Sequence, residues 1–151
     1  MYKMKYVGDK DNNIEYRKRP GAYSIIIRKE DNKIGIVTDG HDYFYLGGGI
    51  ENEETQIEAL NRELIEESGY TIKNVKKFDE VGSYIFADEK GYFEVQAYVY
   101  ISEFDTKVAE PIEKDHKVLW VNPNDYVGKM CREWQEYILK EYIEKYYNKR
   151  G

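Results

Sequence analysis

The segment Gly47–Tyr70, GGGIENEETQIEALNRELIEESGY, restricts the fold more than any other stretch of the chain. Before it, HDYFY has the aromatic content of a strand. After the glycines, apolar residues recur at helical spacing. Thr55 with Glu58 three residues later is a capping-box signature, and Gly69 is a natural stop, so a helix is expected from Thr55 to Gly69 with both ends pinned. The chain must pass from strand to helix through three successive glycines. The same segment carries seven glutamates and one arginine. Like charges one turn apart destabilise a helix by a few tenths of a kcal/mol per pair, so this charge answers to something other than helix stability.

The flanking sequence supplies the rest of the layers. GAYSIIIRKEDNKIGIVTD reads as a β-hairpin, with runs at Ala22–Ile27 and Ile34–Val37 about the polar turn Lys29–Asn32. HDYFYLGGG reads as a third short strand ending in the glycines. EVGSYIFADEKGYFEVQAYVYISEF reads as two strands about a turn at Asp88–Gly91, and HKVLWV as another, preceded by the acidic loop Glu110–Asp115. Asn122-Pro123 opens a short helix. From about Cys131 to Tyr147 the chain is expected to be helical, with Trp134, Ile138, Tyr142 and Tyr146 along one face. Strands interleaved with two main helices predict one α/β domain over residues 1–151, a sheet flanked by helices. The 151 residues, 41% of them hydrophobic, suffice for its core.

Placed on a helical wheel, Ile57, Leu60 and Leu64 form the buried stripe. Glu63, Glu66 and Glu67, at i, i+3 and i+4, converge on a neighbouring face, with small Ala59 leaving space beside them. Three carboxylates this close repel one another unless a cation sits among them, and hard oxygen ligands suit Mg²⁺ or Mn²⁺. The glycines let the backbone turn sharply and approach a metal or phosphate with no Cβ in the way, and a carbonyl from this run is a further candidate ligand. Arg62 is placed to pair with Glu54 or with Glu66, which gives it an orienting role rather than a substrate contact.

These residues match a known signature. Gly48, Glu54, Arg62, Glu63, Leu64, Glu66, Glu67, Gly69 and Tyr70 stand at the spacing of the Nudix hydrolase motif, and the chain resembles that family in its MutT-like form. From typical residue frequencies, a chance match is on the order of 10⁻⁸ per starting position. The motif covers Gly48–Tyr70, while the order of strands and helices resembles the family across nearly the whole chain. Two positions depart from the usual pattern: no proline separates Leu46 from Gly47, and Tyr70 is aromatic where an aliphatic residue is common. The resemblance implies an α/β/α sandwich around a mixed β-sheet and Mg²⁺- or Mn²⁺-dependent hydrolysis of a nucleoside diphosphate linked to another moiety X, such as a nucleoside triphosphate. The implied metal ligands are Gly48, Glu63, Glu66 and Glu67, and the implied catalytic set is Glu63, Glu66, Glu67, Arg62 and a general base. In the family that base is a motif glutamate or an acid on a later loop, here Glu110, Glu113 or Asp115. Nucleotide sugars, dinucleoside polyphosphates, capped RNA ends and a non-catalytic nucleotide-sensing role remain as alternatives.

Plainer readings suffice elsewhere. A net charge of -6 argues against an extended nucleic-acid surface, and no apolar run spans a bilayer, so a cytoplasmic protein with a small nucleotide partner is expected. One cysteine and two histidines make a zinc site improbable, leaving Cys131 an ordinary thiol. YRKRP, Tyr16–Pro20, reads as an exposed edge-strand charge run rather than a phosphate contact. Trp120 reads as core. Among the tyrosines, Tyr23, Tyr45, Tyr84 and Tyr98 are candidates to stack on a base. The aromatic C-terminal helix is expected to cover the domain's own sheet or that of a second copy in a homodimer.

Overall fold

A computed structural model describes residues 3–112 and 115–148. The strands are β1 (Lys5–Val7), β2 (Arg17–Arg28), β3 (Lys33–Thr38), β4 (Tyr43–Phe44), β5 (Leu46–Gly49), β6 (Tyr70–Ala87), β7 (Gly91–Lys107) and β8 (Lys117–Val121). Helix α1 (Gln56–Ser68) follows β5, and α2 (Glu133–Tyr142) closes the fold after a single 3₁₀ turn at Pro123–Tyr126. The strands form one mixed sheet in the order β1-β6-β7-β2-β3-β4, with β5 also on β2 and β8 on β3. β2 runs parallel to β7 from Arg17–Phe93 to Ile26–Ser102, and β6 antiparallel to β7.

Alternation along these strands builds two cores. On one face Ile25, Ile36, Val81, Val95, Ala97 and Val99 pack against Trp134, Ile138, Leu139 and Tyr142 of α2. On the other, Ala22, Ile26, Val37 and Tyr100 pack against Ala59, Leu60 and Leu64 of α1. The α/β/α sandwich follows from period 2 in the sheet meeting period 3.6 on each helix.

The expected hairpin, the strands about Asp88–Gly91, the strand in HKVLWV and the turn at Pro123 are all present. Several expectations change. HDYFYLGGG is two strands, because Tyr45 turns inward at 1% exposure and interrupts the pairing. β6 begins at Tyr70, well before the expected start. Its polar stretch Lys73–Lys77 stays extended because it is solvent-facing and bulged against β7. β1 is an added strand, parallel to β6 and docked by the Tyr6 ring lying over Gly82. The C-terminal helix ends as α at Tyr142 and widens into a π turn, Ile143–Tyr147. Its aromatic face, with Trp134 and Tyr142, covers the chain's own sheet.

One buried contact ties α2 to β6 and depends on pH. Asp79 and Glu141 face each other with side chains 5% and 11% exposed, flanked by Lys5 (3.4 Å to Asp79) and Lys145 (3.0 Å to Glu141). Burial pushes Glu141 above the usual carboxylate range, and the bond it makes to Asp79 while protonated adds to this. Burial works the same way on Asp79 but is outweighed by that bond, the Glu80 N–H and Lys5, which leave Asp79 lowered. Glu141 Oε1 has no hydrogen-bond partner as a carboxylate. A raised folded pKa means that this group's stabilisation is complete below the ordinary glutamate pKa and is lost as pH rises through the folded value. Glu141→Gln, whose amide donates to Asp79 at every pH, is therefore expected to stabilise the fold at pH 7 by about 1 kcal/mol, or about 2–4 °C in Tm. The gain should vanish in melts run below the ordinary glutamate range, and a Tm unchanged or lowered at pH 7 would contradict this reading.

Candidate active site at the glycine strand

The site begins with local folding. Thr55 caps α1: its hydroxyl accepts from Glu58 N (3.1 Å) while Glu58 Oε1 accepts from Thr55 N (2.8 Å). Gly69 ends the helix at φ 81°. A Cβ on Gly69 would lie 2.1 Å from the Ala109 carbonyl, so glycine also permits the loop after β7 to dock here. Val108 N and Ala109 N donate to Gly69 O (2.8 and 3.2 Å), and Ile112 N to Glu66 O (2.8 Å). The acidic loop is thereby held against the end of α1. Glu110 is exposed on it and paired with Lys107 at 3.2 Å, and Asp115 is exposed; Glu113 lies outside the described residues.

The buried stripe of α1 is rotated from the expected one. Leu60 and Leu64 are fully buried, Ala59 is buried rather than beside open space, and Ile57 is 40% exposed. The turn brings Glu67 inward to 6% exposure, where its Oε1 accepts from Gly47 N at 2.8 Å. Near its other oxygen stands His116, with Nδ1 3.8 Å from Glu67 Oε2 and its ring edge-on to Phe44. His116 Nδ1 is buried without a hydrogen-bond partner. Nothing in the sequence signals His116, since its place beside Glu67 depends on the docking of the loop onto α1.

Arg62 organises the acids. Its Nε and Nη2 hold Glu54 at 2.7 and 3.0 Å, Nη2 also reaches the Gly49 carbonyl at 3.0 Å, and Nη1 meets Glu63 at 3.1 Å and Glu66 at 3.5 Å. Both expected pairings of Arg62 are therefore made. The guanidinium, with the Glu51 N–H, holds Glu54 down to about 2, and the same contacts keep Arg62 charged. Glu63, Glu66 and Glu67 do not close into one cage. Among the described residues no three His, Cys, Asp or Glu side chains are grouped as ready metal ligands. The reason is local: Arg62 Nη1 stands between Glu63 and Glu66, and Glu67 is turned back to Gly47.

The three glycines have separate tasks. They lie within β5, paired to β2, rather than in a sharp turn. Gly47 at φ 138° presses on β2, where a Cβ would meet the Ala22 carbonyl at 2.2 Å. A Cβ on Gly48 would overlap the Glu63 carboxylate at 2.6 Å, and around Gly49 there is open space. Only a glycine at 48 leaves the Glu63 carboxylate its place, and the carboxylate oxygens gathered there are the donor type that a hard divalent cation takes.

Across β5, a cleft of about 250 Å³ is lined by Arg19, Tyr23, Gly47–Gly49, Ile85, Val95, Arg132 and Trp134, among others. Of the four candidate tyrosines, Tyr23 and Tyr45 reach this cleft. Tyr45 is buried with its hydroxyl bonded to Gln135 O, while Tyr23 packs 5.0 Å from Trp134. Burial pushes the Tyr23 phenol up to about 12 and the Cys131 thiol up to about 11, so both stay protonated and Cys131 is an ordinary thiol. A larger cavity of about 460 Å³ lies near Trp120, which is half-buried under Arg28 (4.6 Å) rather than core. Two of its three cations are paired, Arg28 with Asp31 and Lys29 with Glu103, and none of its lining residues belongs to the glycine strand or the acidic cluster.

Comparison with known proteins places this arrangement. "Nudix hydrolase 13, mitochondrial" of Arabidopsis thaliana is 28% identical over 127 residues, covering 75% of this chain and 61% of its own length. A MutT structure from work on Aliivibrio salmonicida and Vibrio cholerae superposes with a TM-score of 0.65 at 20% identity, covering 86% of this chain and 100% of that one. A MutT from Bacillus halodurans gives 0.65 at 18%, covering 81% and 80%. Among the described residues no helix is long and apolar enough to cross a membrane. The NUDIX domain model matches residues 18–142, and on that match, with the site as built, the chain belongs to the NUDIX domain family.

Proposed function

We propose that the protein is a divalent-cation-dependent hydrolase of a phosphoanhydride bond in a nucleoside diphosphate linked to a moiety X. One observation carries the reading: a single guanidinium, Arg62, lies within 4.0 Å of four carboxylates (Glu51, Glu54, Glu63 and Glu66), a clear surplus of negative charge beside a glycine whose missing Cβ leaves the Glu63 carboxylate its place. Such a surplus calls for further positive charge.

Gly48, through its carbonyl, with Glu63, Glu66 and Glu67 would hold the cation, Mg²⁺ or Mn²⁺. When bound there, such an ion neutralises the diphosphate and lowers the pKa of a water. Arg62 fixes the glycine strand to α1 through Gly49 O and orients Glu63 and Glu66. The Gly47 N–H aims Glu67. The general base comes from Glu63, Glu67 or one of the later acids Glu110, Glu113 and Asp115. The cleft across β5 receives the rest of the substrate, with Tyr23 and Trp134 as its aromatic wall.

A phosphate-release screen of purified protein tests this, run with Mg²⁺ and pyrophosphatase over nucleoside triphosphates, nucleotide sugars, dinucleoside polyphosphates and capped RNA. Turnover of at least one class, abolished by excess chelator and poorly supported by Ca²⁺, is expected. Full turnover in chelator, or none on any class with Mg²⁺ and Mn²⁺, would refute it.

A further inference from the structure

The run YRKRP, expected to be a solvated edge, contributes Arg19 to the cleft. β2 from Arg17 to Arg19 pairs only with β7 on one edge, because β5 joins it at Gly21, so the edge expectation holds. Register sets the direction of its side chains: Arg17 is opposite Phe93 and Arg19 opposite Val95, on the sheet face that carries Ile85 and the cleft. Both guanidiniums lie over one ring, with Arg17 4.7 Å and Arg19 5.3 Å from the Phe93 centroid. Arg132, just before α2, reaches the same cleft and holds Phe86 O at 3.5 Å; Arg17 holds Lys90 O at 2.7 Å.

None of the three makes an ion pair among the described residues, and no aspartate or glutamate lines the cleft. Arg17 and Arg19 share one ring, and Arg19 and Arg132 line one cleft that carries no carboxylate, so positive charge is in surplus there. A planar fork donor is suited to phosphate oxygens. β5 thus separates an acidic side, at Glu63 and Glu66, from a basic side only a strand's width away. A sugar such as glucose has no charge to place among these arginines.

We propose that Arg17, Arg19 and Arg132 form a subsite for additional phosphate groups, so that the moiety X is itself an oligophosphate rather than a neutral sugar. The inference rests on the phosphoanhydride-hydrolase reading, but its binding test does not require turnover. Calorimetric titration of the protein with inorganic tripolyphosphate in EDTA reads the arginines without any metal. Wild type is expected to bind saturably, with affinity reduced at least 10-fold in Arg19→Gln and in Arg132→Gln and partly recovered in Arg19→Lys. Melts within about 2 °C of wild type show which variants remain folded, and either glutamine variant suffices.

Kinetics then compare, at one Mg²⁺ and salt concentration, a nucleoside diphosphate sugar with dinucleoside polyphosphates of increasing chain length. The kcat/KM is expected to be at least 10-fold higher for the longer chains. Arg19→Gln should remove that advantage mainly through KM. Absence of tripolyphosphate binding, equal binding in wild type and the glutamine variants, or a preference for the neutral sugar that the variants leave unchanged would overturn the subsite. With turnover still metal-dependent, those results would leave the hydrolase reading standing. Loss of all turnover with tripolyphosphate binding intact would sink the hydrolase reading instead.

Discussion

Glu67→Gln is expected to lower turnover by at least about 10²-fold while leaving the metal-free protein as stable as wild type or a few tenths of a kcal/mol more so. The amide oxygen of glutamine still accepts the Gly47 N–H, so the bond that joins α1 to β5 survives. What disappears is one negative charge from a crowded helix and one anionic ligand. With Mg²⁺ present the order should reverse, because wild type gains RT ln(1 + [L]/Kd) and the variant, with weaker affinity, gains less. Paired melts with and without Mg²⁺, set beside a turnover assay in the same buffer, read both effects. A variant that keeps the full Mg²⁺-induced shift and wild-type turnover would return these glutamates to a solvated helix face.

The second large effect concerns three neighbouring glycines that should respond differently to one methyl group. Gly47→Ala places a Cβ 2.2 Å from the Ala22 carbonyl and 2.6 Å from Tyr23 Cα, on a backbone at φ 138°. Both obstacles are main chain in the centre of the sheet and neither can yield, so a loss above about 3 kcal/mol is expected, roughly 6–12 °C in Tm. Gly48→Ala meets only the end of the Glu63 side chain, which can swing away. That variant should melt close to wild type yet lose most turnover, because Glu63 leaves the position it shares with Arg62. Gly49→Ala meets nothing within 4 Å and should change stability by less than about 0.5 kcal/mol. Thermal melts of the three variants settle the order. A Gly47→Ala protein as stable as Gly49→Ala would show that β5 is not pressed against β2 as described.

Local signals were legible in the sequence. The capping box at Thr55 and Glu58, the stop at Gly69 and the apolar runs on either side of Lys29–Asn32 depend on neighbours a few residues away, and each stands where expected. Features that depend on distant partners were not. The buried stripe on α1 was rotated because Glu67, read as one of three carboxylates converging beside that stripe, is drawn inward by a main-chain N–H that folding delivers from β5. β1 has no strand pattern of its own and exists because Tyr6 finds Gly82 far along the chain. His116 and the arginine-rimmed cleft need the loop dock on α1 and the β2–β7 register respectively, neither of which has a periodic signature. The convergence of Glu63, Glu66 and Glu67 followed from helix geometry alone; a single Arg62 guanidinium, reaching back to Glu54, rearranges it.

The proposed function requires Gly48 and the acidic face of α1 to form a divalent-cation site. Mn²⁺ titration followed by the electron paramagnetic resonance signal of the free ion tests it without any substrate. Saturable binding is expected in wild type, weakened at least 10-fold in a Glu63→Gln/Glu67→Gln double variant whose metal-free Tm is no lower than that of wild type. Binding of equal affinity in both proteins, or no saturable binding at millimolar Mn²⁺, would contradict it.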